Sequence, residues 1–486
     1  MKIVHATSEC VPYAKTGGLA DVVPSLSKAL AEKGHEVYIF LPRYGMIETH
    51  HLTMLKENIA LHFGGQNTYF NLYQHKTPEG INAMFIDYPS LFDRNGIYGD
   101  AGKDFPDNGI RYLYFARAVI ESCVNLRLIP DVFHSHDWQA SFIPTYLRTL
   151  YANNEQLCKV PAILTIHNLS FQGLFDPADV WRYTYLDDSL FQMEGLEFYG
   201  KVNYLKGGII FSTLITTVSP TYSKEIQEEE QGCGLQGLLK NRSKYLHGVL
   251  NGIDYAIWNP EIDPLIPQKY SLAHMEGKKF CKHELMERCG FSGKEELPII
   301  GMITRLTPQK GLDLVLESKE VLNTAPLRFA ILGTGMKAYE DALLQWNKEQ
   351  PEKIHLKIEF NEEFAHLIEA GSDMFLMPSK YEPCGLNQMY SLKYGTIPIV
   401  RNTGGLSDSI VDFAADLNSS TGFKFNDCTS LGLLNAIETA LSVYPHQIIW
   451  KQIIKRGMMQ DFSWHKAANT FIELYSQAIE LMKNTT

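Results

Sequence analysis

The sequence predicts an α/β protein built from two doubly wound parallel sheets, and three observations support this. The chain has 486 residues, more than one ordinary hydrophobic core accommodates, so we expect two domains. Short runs rich in Val, Ile, Leu and Phe alternate with longer helical patterns through most of the chain. Those short runs are continuously apolar, as in strands that helices cover on both faces.

The first predicted sheet occupies residues 1–245, and its helices include 19–33 and 107–125. Each apolar run in it has the length of a buried strand and is bounded by turn residues or by a helical pattern. The strands are predicted at 2–5, 36–41, 83–87, 132–136, 162–167 and 214–218.

The second predicted sheet occupies residues 246–463, and segment 464–482 after it has the apolar periodicity of an amphipathic helix. Ligands of open α/β sheets bind beyond the carboxyl ends of the strands. Two such sheets facing each other would place their strand-end loops across one cleft. The strands of the second sheet are predicted at 248–251, 299–304, 329–332, 354–359, 374–377 and 397–400.

The composition excludes several classes of partner. The chain is 45% hydrophobic and 20% charged, as in globular proteins, and its net charge of -11 argues against nucleic-acid binding. No segment reads as a membrane span, and the N-terminus lacks the form of a signal peptide. The eight cysteines are scattered without a C-x-x-C pair, which favours reduced thiols. We therefore expect a cytoplasmic protein with no nucleic-acid or membrane partner.

One turn occurs twice, as KTGGLADVV at residues 15–23 and as NTGGLSDSI at residues 402–410. A glycine pair ahead of a helix suggests a turn that leaves backbone N–H groups bare, which suits a phosphate. Lys15 adds a full positive charge to the first copy. A structural turn with a solvated lysine is the alternative. The usual P-loop pattern is absent.

A cationic turn, TRLTPQKG at residues 304–311, follows a predicted strand of the second sheet. Arg305 offers forked donors and Lys310 a mobile point charge, a suitable pair for a diphosphate. The alternative is a charged surface turn that opens a helix. The position at the carboxyl end of a strand favours binding.

The segment YEPCGL at residues 381–386 also follows a predicted strand. A tight turn there would bare the N–H groups of Gly385 and Leu386, with Glu382 placed to accept hydrogen bonds from sugar hydroxyls. A merely solvated or capping carboxylate is the alternative. Cys384 has no histidine near it in sequence, which argues against a cysteine nucleophile.

The segment HSHDW at residues 134–138 carries two imidazoles on one face of a strand, as metal ligands are sometimes arranged. No third ligand is evident, so we predict no metal and interpret the pair as polar residues that line a cleft. His167 and Asn168 end another strand in the same way. Residues 333–338 match the relaxed pattern G-x-G-x-x-A, but they lie deep inside the second sheet, so we interpret them as a strand-end turn.

Together with THN and VLNGID, these motifs resemble those of the bacterial glycogen synthases and plant starch synthases, over essentially the whole chain. That family consists of retaining glucosyltransferases of the two-Rossmann, or GT-B, architecture. The resemblance implies an acceptor-side domain at 1–245, a donor-side domain at 246–463 and a helix at 464–486 that crosses back to the first. It implies transfer of glucose from ADP-glucose to the nonreducing end of an α-1,4-glucan, without a cofactor.

The resemblance also implies roles for individual residues. Arg305 and Lys310 would neutralise the diphosphate, Glu382 would bind the transferred glucose, and Lys15 and His167 would complete the catalytic set. The implied donor-binding residues are Lys15, Gly17, Gly18, Tyr98, Asp137, Asn168, Asn251, Cys384, Gly385, Leu386, Thr403, Gly404 and Gly405.

Two departures and two rival functions accompany the resemblance. Related GT-B enzymes often carry a second glutamate at the position of Tyr390, whereas glycogen and starch synthases tend to carry tyrosine there, as this chain does. The loop DRNGIYGD lacks the usual proline. No D-x-D motif occurs, so a metal bound to the diphosphate is not required. The rivals are a UDP-glucose-dependent glucosyltransferase and a non-catalytic glucan-binding relative.

Overall fold

The structure is a computed structural model, and it describes residues 1–100, 102–293 and 297–485. The chain forms two compact units. The first contains Met1–Val218, Ser223–Gly252 and the segment from Trp464 onward, and the second contains Ser219–Tyr222 and Ile253–Ser463. Within the described ranges, no helix combines the length and the apolar character that crossing a lipid bilayer requires.

The first unit is an α/β assembly whose elements we number in chain order. Its strands are β1 (Lys2–Ala6), β2 (Glu36–Pro42), β3 (Thr53–Phe63), β4 (Gln66–Lys76), β5 (Asn82–Asp87), β6 (Gly99–Asp100), β7 (Lys103–Asp104), β8 (Val132–His136), β9 (Ala162–Ile166), β10 (Leu174–Phe175), β11 (Glu197–Phe198), β12 (Lys201–Asn203), β13 (Leu214–Thr217) and β14 (Leu246–Gly248). Its helices are α1 (Leu19–Glu32), α2 (Pro89–Phe92), α3 (Asn108–Leu126), α4 (Asp137–Ala140), α5 (Phe142–Arg148), α6 (Pro177–Thr184), α7 (Tyr204–Phe211), α8 (Pro220–Glu225), which lies across the division between the units, α9 (Gln236–Asn241) and the last helix of the chain, α19 (Trp464–Thr485).

The main sheet of the first unit has nine strands in the order β14-β13-β9-β8-β1-β2-β5-β4-β3. All neighbouring pairs from β14 to β5 are parallel. Strands that follow β1 in the chain extend the sheet on one side, and strands from β8 onward extend it on the other. The gap between β1 and β8 is therefore a topological switch point, where ligands of such sheets bind.

The hairpin β3–β4 was not predicted, and it makes this sheet mixed instead of purely parallel. β3 pairs antiparallel with β4, and β4 pairs antiparallel with β5. The prediction searched for continuously apolar runs, whereas the last residues of β3 alternate between exposed and buried. Such alternation is typical of an edge strand that has one face in water.

The second unit has the order of a Rossmann fold. Its single main sheet runs β17-β16-β15-β18-β19-β20 with parallel pairs throughout, so the predicted α/β fold class is confirmed. Its switch point lies between β15 and β18. The strands are β15 (Ile299–Ile303), β16 (Arg328–Leu332), β17 (Ile354–Lys357), β18 (Met374–Met377), β19 (Ile397–Arg401) and β20 (Phe423–Phe425), and the helices are α10 (Glu276–Cys289), α11 (Leu312–Glu317), α12 (Lys319–Thr324), α13 (Lys337–Glu349), α14 (Glu362–Gly371), α15 (Asn387–Lys393), α16 (Gly404–Ser409), α17 (Ser430–Val443) and α18 (Gln447–Met458).

The strand predicted at 248–251 does not open the second sheet. The corresponding strand, β14, ends at Gly248 and pairs in parallel with β13, so it is the edge strand of the first sheet. This pairing keeps the chain in the first unit as far as Gly252, beyond the boundary predicted near residue 245. The predicted segment shares only Gly248 with β14, and the partner of this short strand is not encoded locally.

The last helix, α19, belongs to the first unit and packs against α1. Its apolar residues Phe471, Leu474 and Ala478 are buried in the core of that unit. The hydroxyl of Tyr475 lies 2.8 Å from Nδ1 of the buried His134 on β8. The first unit therefore includes residues from both ends of the chain.

Truncating the buried face of α19 should destabilise the first unit. We expect Leu474→Ala to lower the free energy of unfolding by about 2–5 kcal/mol, because it leaves a cavity in a packed core. Glu473→Ala, at the exposed neighbouring position, should change it by less than about 0.5 kcal/mol. Urea unfolding followed by circular dichroism measures both. Equal losses would show that the helix contributes little through packing.

Candidate active site

Many of the predicted site residues lie in segments that follow the strands at the two switch points. Lys15, Gly17 and Gly18 follow β1, and Asp137 follows β8 in the first unit. In the second unit, Arg305 follows β15 and Glu382 follows β18. Backbone groups at the carboxyl ends of parallel strands are free to meet a ligand, so each unit has one concentrated set of candidates.

A buried carboxylate that the sequence did not reveal holds the first glycine loop. Oε2 of Glu9 accepts hydrogen bonds from the backbone N–H groups of Thr16, at 2.5 Å, and of Gly17, at 2.8 Å. Oε1 accepts from the Thr16 hydroxyl at 2.7 Å. The expectation that this turn leaves its first N–H groups bare is wrong, because an internal anion already occupies them.

Tyr98 belongs to the same network. Its hydroxyl donates to Oε1 of Glu9 at 2.7 Å and lies 2.7 Å from Oγ of Ser8. Burial raises the pKa of the Tyr98 hydroxyl well above its ordinary value, so the group stays protonated and donates. Tyr98 therefore fixes Glu9, and Glu9 fixes the glycine loop.

Lys15 lies at the surface beside that loop. Its Nζ is 2.8 Å from Oδ1 of Asp21, and the two side chains are 47% and 39% exposed. Ion pairs at this exposure contribute about 0–1 kcal/mol. An anionic ligand can therefore draw Lys15 away from Asp21 at small cost.

The second glycine loop is built differently, by close backbone packing. Gly404 has a left-handed φ of 45°, and a Cβ on it would lie 2.0 Å from the carbonyl oxygen of Glu382. A Cβ on Gly405 would lie 2.1 Å from the carbonyl oxygen of Cys384. By contrast, a Cβ on Gly17 or Gly18 would have no described atom within 4 Å apart from those of its own residue and its neighbours in the chain. Only the second copy needs glycine to pack against another loop.

Two predicted site residues of the second unit, Lys310 and Glu382, form a largely buried ion pair. Nζ of Lys310 lies 2.5 Å from Oε2 of Glu382, and the side chains are 16% and 7% exposed. Oγ of Ser379 donates to the same carboxylate oxygen at 2.9 Å. Arg305 is exposed, and its guanidinium pairs with no residue that the structure describes. A free cation therefore lies in the loop that also carries the paired Lys310.

The loop that follows Glu382 is held by a glutamine that the sequence did not indicate. Nε2 of Gln388 donates to the carbonyl oxygens of Cys384 and Gly385, each at 3.1 Å. Gly385 has a left-handed φ of 70°, which favours glycine. Leu386 immediately precedes α15. The segment is thus a turn into a short helix, as the Pro and Gly pattern indicated.

The G-x-G-x-x-A segment is a strand-end turn after β16. A Cβ on Gly333 would lie 1.9 Å from the carbonyl oxygen of Thr304, and one on Gly335 would lie 2.3 Å from that of Leu306. The Leu306 N–H donates to the carbonyl oxygen of Thr334 at 2.9 Å. These glycines allow the turn to support the Arg305 segment.

His134 and His136 do not line a surface cleft, as we had expected, because both are buried at 1% exposure or less. His5, which the sequence did not indicate, lies beside them. One ring nitrogen of each of the three histidines lies within 4.8 Å of the other two. His134 bonds the hydroxyls of Tyr475 and Thr165, at 2.8 and 2.6 Å. The cluster is therefore linked by hydrogen bonds among its own residues and their neighbours.

Asp137 links the end of β8 to the end of β9. It has a left-handed φ of 54°, and its Oδ1 accepts from the backbone N–H of His167 at 2.7 Å. Burial raises the pKa of Asp137 to about 7, although hydrogen bonds from the backbone of His167 and Asn168 act in the opposite direction. Asn251 is buried, follows β14 and makes no hydrogen bond to these residues as far as the described chain shows.

The two glycine loops should respond differently to the same substitution. We expect Gly404→Ala to lower the free energy of unfolding by more than about 1 kcal/mol, because of its positive φ and the overlap with Glu382. Gly17→Ala should leave stability unchanged or slightly raised, since nothing crowds that position. Thermal unfolding of both variants measures this. A larger loss for Gly17→Ala would contradict the difference between the loops.

The half-buried Asp137 should make stability fall as pH rises. Its native pKa of about 7 exceeds the ordinary 3.8, so the native state keeps a proton that the unfolded chain releases between those values. Asp137→Asn does not titrate. Between about pH 5 and about pH 8, the free energy of unfolding of the parent should therefore fall relative to that of the variant by up to about 3 kcal/mol. Urea unfolding at both pH values tests this, and a constant difference would refute it.

Comparisons with known proteins agree over the whole chain. The family described as "Starch synthase catalytic domain" matches residues 2–241, and "Glycosyl transferases group 1" matches residues 290–456. A glycogen synthase of Koribacter versatilis is 41% identical over 478 residues, which cover 98% of each chain. One of Bacillus cereus is 41% identical over 486 residues, covering 99% of this chain and 100% of the relative.

Two solved structures match this chain over nearly its whole length. The catalytic domain of starch synthase IV from Arabidopsis thaliana, bound to ADP and acarbose, matches with a TM-score of 0.89 and 34% identity, over 98% of this chain and 99% of that one. Sucrose-phosphate synthase from Thermosynechococcus elongatus matches with a TM-score of 0.60 at 15% identity over 98% of each chain, which shows the fold alone. The chain therefore belongs to the glycogen synthase and starch synthase family of GT-B glycosyltransferases.

Proposed function

We propose that this glycosyltransferase is a glycogen synthase that transfers glucose from ADP-glucose to the nonreducing 4-OH of an α-1,4-glucan, with retention of configuration. The observation that carries this proposal is the arrangement at the second switch point. Arg305, which pairs with no described residue, lies in the same loop as Lys310, and Lys310 pairs with Glu382 in the loop after β18. ADP bound to the related starch synthase is what remains of ADP-glucose after the glucose leaves.

The second unit would bind the donor. Arg305 and Lys310 would neutralise the diphosphate, and Glu382 would accept hydrogen bonds from the transferred glucose while it orients Lys310 across 2.5 Å. Residues of the two glycine-supported turns would provide backbone contacts to the distal phosphate and the nucleotide. These are Thr403, Gly404, Gly405, Cys384, Gly385 and Leu386.

The first unit would act on the sugar and the acceptor. Lys15 would leave Asp21 and contact the donor together with Gly17 and Gly18. Tyr98 would hold the loop of these three residues through Glu9. His167 would contact the transferred glucose, and the residues proposed to line its pocket are Asp137, Asn168 and Asn251.

The chemistry we infer is governed by charge on the leaving group. The bond from C1 to the diphosphate oxygen breaks, the sugar becomes oxocarbenium-like, and negative charge develops where Arg305 and Lys310 are placed. The acceptor oxygen then bonds to C1 from the same face, and its proton passes to the departing phosphate. Glu382 is engaged by Lys310 and Ser379, which argues against a role as a covalent nucleophile.

Removing the free cation should abolish most transfer without unfolding the protein. We expect Arg305→Ala to lower kcat by about 100-fold to 1,000-fold, as when one stabiliser of developing charge is lost. Stability should be unaffected, because Arg305 is exposed and unpaired within the described chain. The assay is incorporation of labelled glucose from ADP-glucose into glycogen, with thermal unfolding alongside.

The matched control is Lys451→Ala, which removes an exposed cation of α18 and should leave transfer unchanged. Parallel reactions with ADP-glucose and UDP-glucose test the donor. Faster transfer from UDP-glucose would assign the protein to the alternative donor, and no transfer from either would favour a non-catalytic glucan-binding role. Near-normal activity of Arg305→Ala would contradict the proposed leaving-group stabilisation.

The proposed location is the cytoplasm, which the eight free cysteines support.

A further inference from the structure

Three imidazoles form a hydrogen-bonded chain that runs from the core of the first unit to a proposed active-site residue. Nδ1 of His5, on β1, lies 3.0 Å from Nε2 of His136, on β8. Nδ1 of His136 lies 3.0 Å from Nε2 of His167, just after β9. β1, β8 and β9 are adjacent parallel strands, so the backbone holds the three rings in this order.

Each ring in the chain is neutral, so each carries one N–H and one acceptor nitrogen. Burial lowers the pKa of His5 and His167 to about 3 and that of His136 well below its ordinary value. Two consecutive hydrogen bonds between neutral imidazoles require every ring to donate in the same direction. The chain therefore has only two consistent arrangements, which differ in the placement of all three protons.

The inner end distinguishes these arrangements. Nε2 of His5 is buried and has no hydrogen-bond partner among the described residues. If the rings donated inward, His5 would bury an N–H without an acceptor, and orphaned buried donors are rarer in proteins than unsatisfied acceptors. If the rings donate outward, each proton is on Nδ1 and only a lone pair of His5 is unsatisfied.

The outer end is open to a ligand. His167 is the only one of the three rings that is not fully buried, and its Nδ1 has no partner in the described chain. In the outward arrangement this nitrogen carries the N–H. A donor at that position suits an oxygen of a bound sugar, since sugar hydroxyls accept as well as donate.

We propose that His5 and His136 are positioning residues that fix His167 as its Nδ1–H tautomer, so that it presents a donor to an oxygen of the transferred glucose. The contact with glucose rests on the proposed function, whereas the tautomer does not. The three hydrogen-bonded imidazoles orient His167 and do not relay protons, because no described residue donates a proton to Nε2 of His5 at their inner end. The state of His167 is therefore set by a residue of β1 that itself does not touch the substrate.

The direct test is the tautomer in the unliganded, full-length protein. Long-range ¹H–¹⁵N spectra of protein labelled with ¹⁵N-histidine distinguish Nδ1–H from Nε2–H rings, and single variants at each position assign the signals. We expect Nδ1–H for His5, His136 and His167. An Nε2–H signal for His167 would overturn the proposal, whether or not the protein transfers glucose.

A pair of variants at His136 tests the consequence for transfer. His136→Asn retains an N–H near the position of Nδ1, whereas His136→Leu removes it. We expect the Leu variant to lose kcat by on the order of 10-fold or more, with KM for ADP-glucose little changed, and the Asn variant to recover most of that loss. Thermal unfolding accompanies each assay, and the spectrum of the parent decides the tautomer if the Leu variant does not fold.

The structural control is His134→Asn. His134 is a buried histidine on β8, the strand of His136, but it is not one of the three hydrogen-bonded imidazoles. We expect it to leave kcat within about threefold of the parent, since it bonds Tyr475 and Thr165 and not His167. An equal kcat loss in all three variants would overturn the positioning role and assign the cluster to folding alone. Absence of transfer in the parent would contradict the proposed function and leave the tautomer reading intact.

Discussion

Each main sheet reverses the direction of strand addition at one place, and that constraint locates most of the proposed site residues. β1 and β8 flank the reversal in the first unit, and β15 and β18 flank it in the second. Parallel strands end at the same edge, so residues far apart in the chain, such as Lys15 and Asp137, leave neighbouring strands. The right order of strands is therefore a precondition for every contact inferred at either site.

Within this frame, two nearly identical turns are stabilised by different interactions. The first is held by a carboxylate, Glu9, whose oxygens occupy the N–H groups of Thr16 and Gly17. The second is held by backbone approach to Glu382 and Cys384, which leaves no room for a Cβ at Gly404 or Gly405. The first loop is therefore held by hydrogen bonds to a side chain, whereas the second is held by backbone packing that requires glycine. Two turns with the same four residues, TGGL, are therefore stabilised in different ways in the two units.

The charges at the sites are graded by how firmly they are paired. Lys310 is buried against Glu382, Lys15 forms a weak surface pair with Asp21, and Arg305 pairs with none of the described residues. A buried pair resists rearrangement because separating it would leave an uncompensated charge. In the proposed reaction, Lys310 would therefore give a fixed field, whereas the exposed Lys15 and Arg305 would be free to reach the phosphates of the donor. The neutral chain of His5, His136 and His167 adds direction without adding charge.

The sequence by itself determined the fold class, the strands that carry the site loops, and the family, because apolar runs and glycine turns are local patterns. It did not determine the hairpin β3–β4, the membership of β14 in the first sheet, or the burial of His134 and His136. Nor did it indicate Glu9 or His5, whose importance depends on partners such as Tyr98 and His136, 89 and 131 residues away in the chain. Only the tertiary structure decided these, because a polar residue acquires its role from the groups that surround it after folding.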